Sequence, residues 1–188
     1  TQIFRELARR MGFDDACFDD TDEDLARQAI DWTKLGTSFD DLRAKAWLRP
    51  ALKKCAELGL LVRLHAGAGP YSIPTEWVPI IREFPTINFL MAHFGVQTGG
   101  VYCFEPFQMA MDMPNVYCES GYCLQSRIVE FAKDLPKHKI IFGTSTPPNE
   151  PGMWLRHLEV LCMEPPQGMN LDQETLEGYL GNNVARMI

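Results

Sequence analysis

Between Pro50 and Ile188 the chain alternates four short apolar runs with segments of helical spacing, and that alternation limits its fold more than any other feature. LLVRL leads into His65, INFLMA leads into His93, NVYCES ends near Glu119 and KIIF ends at Gly143. A helix over PALKKCAEL closes at Gly59 before the first run. Helical spacing follows around Trp77 to Phe84, Phe104 to Met111, Ile128 to Leu135, Met153 to Leu161 and Leu171 to Met187. Strands so continuously apolar need cover on both faces, and strands alternating with helices build a parallel sheet from right-handed βαβ units. The predicted fold class is α/β.

The first 49 residues follow a different rule. Thr1 caps a helix carrying Ile3, Leu7 and Met11, closed by Gly12. Thr21 with Asp24 forms a capping box ahead of Leu25, Ala29 and Trp32, and Ser38 with Asp41 repeats the device before Leu42 and Trp47. No strand-like alternation occurs there. The expected division is therefore a helical segment over 1–49 and a βα segment over 50–188.

Hydrophobic residues make up 46% of the 188, enough for a true core. A net charge of −7 gives no electrostatic footprint for nucleic acid, and the acids crowded between Asp14 and Asp24 read as a solvated turn and helix start. No apolar run approaches the roughly 20 residues of a membrane span, and no secretory leader is legible. The six cysteines (Cys17, Cys55, Cys103, Cys118, Cys123, Cys162) form no C-x-x-C pair and no regular framework. The expectation is a cytoplasmic protein with reduced thiols and neither membrane nor nucleic-acid partners.

In parallel α/β folds ligands gather at the carboxyl ends of strands. His65, followed by Ala-Gly-Ala-Gly, and His93, followed by Phe-Gly, both end predicted strands. One strand-end histidine is more often structural. Two in successive units, each backed by a glycine that permits close approach, weigh the functional reading evenly with the structural one. Glu119 reads first as a solvated strand-end carboxylate, with a ligand role as the alternative. His138 falls on the opposite face and His157 inside a helix, where packing explains it. Ser145 lacks a G-x-S-x-G elbow, and GTSTPPNEPG lacks the lysine of a phosphate-binding loop.

LVRLHAGAG, INFLMAHFG, NVYCESG, KIIFGTSTP and YLGNNVARMI occur in the order and spacing of the amidohydrolase-2 family, which Leu48 to Ile188 therefore resembles. That family holds metal-dependent hydrolases and decarboxylases. The resemblance implies the fifth to eighth strands of a (β/α)8 barrel, a partial barrel of about four βα units. It also implies His65 as a metal ligand, His93 as a second ligand or proton-handling group, and a closing helix at the C-terminal end. Two departures stand against it. The family's first-strand H-x-H or E-x-H pair has no counterpart in the sequence, and Ser145 occupies the place of the eighth-strand Asp that binds metal and serves as a base. Catalytic zinc usually takes three protein ligands, so divalent metal binding is expected to be weak at most. Residues 1–49 resemble a short helical stretch of bis-molybdopterin oxidoreductases. Such a stretch cannot enclose a pterin, so molybdopterin is not expected; the junction near Leu48 suggests a chimera.

Four barrel strands leave two open edges and a bare face. The N-terminal helices cover that face, two copies close it, or the chain stays loosely packed. A homodimer through the first or last strand is the expected assembly. The functional expectation is an impaired amidohydrolase acting on a small molecule. The rivals are a non-catalytic module or chimeric scaffold, and a helical interaction segment tethered to a passive domain.

Overall fold

A computed structural model describes residues 2–13, 15, 19–33, 48–67, 72–95, 102–147 and 149–188. The chain divides into two units, Thr1–Leu52 and Lys53–Ile188. In the first unit α1 spans Gln2–Arg10 and α2 spans Asp22–Thr33. Helix α1 ends at Gly12, whose φ of 78° suits a residue without Cβ, and Phe13 N–H returns to the Ala8 carbonyl at 3.0 Å. The capping box of α2 is in place: Asp24 N–H donates to Thr21 Oγ1 at 3.0 Å and Thr21 N–H to Asp24 Oδ2 at 2.8 Å. An Arg5–Asp22 ion pair of 3.1 Å ties the two helices. Leu7, Met11 and Leu25 are exposed. The caps expected at Thr1 and at Ser38 with Asp41 lie outside the described residues.

Helix α3, Arg49–Glu57, runs across the division. The second unit then continues through β1 Val62–Leu64, α4 Val78–Glu83, β2 Phe89–Met91, α5 Phe104–Asp112, β3 Val116–Glu119, α6 Gln125–Asp134 and β4 Ile140–Ile141. It closes with α7 Pro151–Glu159, α8 Gln173–Glu177, a wide turn Gly178–Asn182 and α9 Asn183–Ala185. The four strands are parallel, in the order β1-β2-β3-β4. They are shorter than the apolar runs that predict them. The chain leaves the ladder early after β2, where His93 and Phe94 take φ of 41° and 48°, and enters β4 late, behind the turn Lys137–Lys139.

Register sorts the strand residues onto two faces. Leu64, Met91, Cys118 and Ile140 share one, all buried, and Cys118 Sγ meets the Pro106 carbonyl of α5 at 3.5 Å. Above it Phe131 of α6 stacks on Phe94 and Phe107, with centroids 5.2 and 4.7 Å away, and meets Phe104 edge-on. One aromatic cluster thereby fixes α5, α6 and the turn after β2 together.

The other face carries Arg63, Leu90 and Tyr117 in register, then Glu119 opposite Ile141. Leu90 and Ile141 pack with Met187, flanked by Leu61, Tyr117 and Val184, so the chain's own C-terminal residues cover part of this face. Lys139 is buried here, its amine donating to the carbonyls of Met113, Pro114 and Val116 at 3.0, 2.6 and 2.9 Å. The β4 edge is also occupied. Ile141 is bonded toward β3, which turns Ile140 and Phe142 outward; Phe142 N–H donates to the Tyr179 carbonyl at 2.8 Å, and Asn183 Nδ2 donates to the Ile140 carbonyl at 3.0 Å. Tyr179 lies in the wide turn, where Asn183 N–H reaches back five residues to the Gly178 carbonyl. The expectation of two open edges and a bare face is corrected in part: the β4 edge is engaged and part of the face is covered. Both β1 and β4 have one strand neighbour, and of the two edges the hydrogen bonds from Tyr179 and Asn183 engage that of β4.

Cys55, Cys103, Cys118, Cys123 and Cys162 are free thiols. Among the described residues no helix is long and apolar enough to cross a membrane.

Candidate active site at the strand ends

Three successive strands deliver polar side chains to their carboxyl ends. His65 follows β1, His93 sits in the tight turn Ala92–Gly95 after β2, and Glu119 is the last residue of β3. Glu119 is only 4% exposed, which overturns its reading as a solvated carboxylate. Its Oε2 accepts from Arg63 Nη2 at 2.7 Å and from His93 N–H at 3.2 Å, and its Oε1 accepts from Gly121 N–H at 2.9 Å. Two glycines make room for it: a Cβ on Gly121 or on Gly143 would overlap the carboxylate. The left-handed backbone at His93, a conformation that costs about 1–3 kcal/mol in a non-glycine residue, turns its N–H onto Glu119.

The imidazoles of His65 and His93 meet edge to face, with His93 Nε2 and His65 Nδ1 3.3 Å apart. His93 is buried while His65 is exposed. Burial, seconded by His65, pulls the His93 imidazole down to about 4 against the opposing pull of Glu119, so it is neutral at physiological pH. Its Nδ1 is buried without a hydrogen-bond partner among the described residues. Ser145, with φ of 52°, turns its Oγ inward near Gly121, where it too is buried without a partner. The structure thus gathers His65, His93 and Glu119, and brings Ser145 close through Gly121.

The donor set does not fit a complete divalent-metal centre. Two imidazoles converge, Ser145 offers a neutral hydroxyl, and Glu119 is engaged by a guanidinium and two backbone N–H groups. Among the described residues no three His, Cys, Asp or Glu side chains group as ligands.

The other histidines stand apart. His138 is exposed at the amino end of β4, 6.4 Å from the Tyr117 ring, where a concavity of about 460 Å³ is lined by Lys137, His138, Asp172 and Arg186 among others. His157 packs edge-on against Trp154 in α7. Sequence reasoning passed over Arg63 and undervalued Glu119. The signal was a charge inside each of two strands read as covered on both faces, since a charge so placed needs an opposite one. The two lie 56 residues apart, so only the fold pairs them.

A family model described as amidohydrolase matches residues 7–188, a span that takes in most of the segment resembling molybdopterin oxidoreductases. No curated protein matches the sequence. Among solved structures the chain is similar to an uncharacterised TIM-barrel protein of Bordetella bronchiseptica, at 19% identity and a TM-score of 0.57, over 74% of this chain and 49% of that one. It is similar to an amidohydrolase 2 of Bifidobacterium longum subsp. infantis at 16% identity and a TM-score of 0.50, over 72% and 52%. A 4-oxalomesaconate hydratase of Rhodopseudomonas palustris gives 15% identity and a TM-score of 0.53, over 74% and 49%. At these identities the likeness is one of fold, a partial (β/α) barrel, and the chain spans about half the length of the structures it matches.

Proposed function

Because the chain belongs to the amidohydrolase family, we propose that it is the fifth-to-eighth-strand half of a metal-dependent hydrolase or decarboxylase barrel acting on a small molecule, and that its chemistry is impaired as it stands. The observation that carries this reading is the convergence of His65, His93 and Glu119 at the ends of three successive parallel strands. In that reading His65 and His93 are the metal-facing imidazoles, and neutral His93 also has a lone pair for proton transfer. A divalent metal would supply Lewis acidity and an acidified water. Ser145 stands where the family's carboxylate would and brings neither negative charge nor basicity. A non-catalytic module is the second reading, supported by the Ser145 hydroxyl turned into protein.

Elemental analysis of the purified chain is the test. Zinc is expected to be substoichiometric and to leave on dialysis against a chelator, with hydrolysis and decarboxylation near background. Ser145→Asp alone is expected to restore neither. Stoichiometric zinc that survives the chelator would overturn the impaired reading.

We further infer that the chain associates as a homodimer. The support is the β1 edge, where Val62 bonds inward to the Asn88 carbonyl and Arg63 therefore directs its backbone N–H and carbonyl outward. The β4 edge is already taken by Tyr179 and Asn183.

A further inference from the structure

The concavity beside His138 lies at the amino end of β4, away from the strand ends that carry His65, His93 and Glu119. Its volume of about 460 Å³ is that of a small-molecule site, and no apolar side chain lines it. Gly178 and Asn182, the two ends of the wide turn, belong to the lining. A single wide turn set among helical residues recurs at functional sites.

The charges of the lining sort into a pair that is satisfied and a pair that is not. Lys137 Nζ holds Asp172 Oδ2 at 2.7 Å, and Thr175 donates to the same carboxylate through its N–H and Oγ1. Glu174 and Arg186 are exposed, and neither enters an ion pair or a side-chain hydrogen bond among the described residues. Burial, then Lys139 and Arg186, pull the His138 imidazole below its ordinary 6.5, so it adds no charge at neutral pH. One anion and one cation are thus left over in the same concavity without touching. A ligand carrying both charges answers both; a ligand carrying one leaves the other unmatched.

We propose that this concavity binds a small zwitterion of the free α-amino-acid class, its carboxylate on Arg186 and its ammonium on Glu174. A guanidinium pairs with a carboxylate through two parallel hydrogen bonds, which fixes that end of the ligand. The size agrees. The two charged groups of an α-amino acid flank one carbon, and with a contact of about 3 Å at either end the whole spans on the order of 9 Å. A sphere of the cavity's volume is about 10 Å across. Asn182 and neutral His138 remain to hydrogen-bond the ligand's side chain, which favours a polar one. The site needs no activity and is independent of the hydrolase reading.

The test is a titration of the ¹⁵N-labelled full chain with L-glutamine, L-serine and glycine, followed through the amide signals of Gly178 and Asn182. Exposed charges bind weakly, so saturable shifts are expected with half-saturation near about 1 mM for L-glutamine. Acetate and methylammonium, with one charge each, are expected to bind at least about fivefold more weakly. Arg186→Met and Glu174→Gln are each expected to weaken L-glutamine binding at least about fivefold. Arg186→Lys, which keeps the charge, should bind more tightly than Arg186→Met. Glu177→Gln removes an exposed acid of α8 that does not line the concavity, and should leave binding unchanged. The proposal is overturned if none of the three amino acids saturates by about 20 mM, or if acetate binds as tightly as L-glutamine. It is equally overturned if Arg186→Met or Glu174→Gln binds like the unmodified chain, or if Glu177→Gln weakens binding as much as Glu174→Gln.

Discussion

Gly143 and Gly121 leave the Glu119 carboxylate a slot in which no methyl group fits. Gly143→Ala is therefore expected to push Glu119 off Arg63 and to cost about 1–3 kcal/mol by overpacking, measured as a lowered urea midpoint. Gly181→Ala is the control, since a Cβ there meets nothing within 4 Å; it should be neutral or stabilising by up to about 1 kcal/mol. Equal losses in both variants would contradict the slot. Asp172 gives the pH dependence. Lys137 Nζ, Thr175 N–H and Thr175 Oγ1 all donate to its carboxylate, at 2.7, 2.8 and 2.9 Å, and hold it well below its ordinary 3.8. A depressed carboxylate contributes stability above its unfolded pKa and loses it as the pH falls through the folded value. Acidification from neutrality to about pH 3 should then destabilise the unmodified chain more than Asp172→Asn. An unchanged gap between their urea midpoints would refute this.

At the scale of elements, the C-terminal segment replaces a strand. The Asn183 amide reaches the Lys137 and Ile140 carbonyls at 2.9 and 3.0 Å. Asn183→Leu strips both and is expected to cost about 2–3 kcal/mol, with faster amide exchange at Phe142 as the local readout. Full protection of Phe142 in that variant would show that the edge is held by other means. The elements themselves were legible in the sequence, because runs such as INFLMA and KIIF and the Thr21–Asp24 cap carry local signals. The strand-end placement of His65 and His93 was legible for the same reason. Non-local pairings were not. Nothing near Arg63 in the sequence announces Glu119, and nothing in YLGNNVARMI says that its helix widens at Gly178–Asn182 to serve the β4 edge. Those facts depend on the register of distant segments, which periodicity does not carry.

At the scale of the whole molecule, the β4 edge is engaged, and β1 pairs only with β2 among the described strands. Light scattering at micromolar concentration is expected to give the mass of a dimer, and Arg63, whose backbone N–H points outward at β1, should gain amide protection on association. A stable monomer across that range would remove the case for association. The occupied β4 edge has a further consequence. Parallel strands stacked front to back could recruit copy after copy, each β1 laid against the previous β4, as in a growing fibril. With Tyr179 and Asn183 already bonded there, an incoming β1 would meet the Phe142 N–H and the Ile140 carbonyl engaged. In the homodimer proposed above, contact would fall to like edges across a two-fold axis, and such an assembly would terminate itself at two.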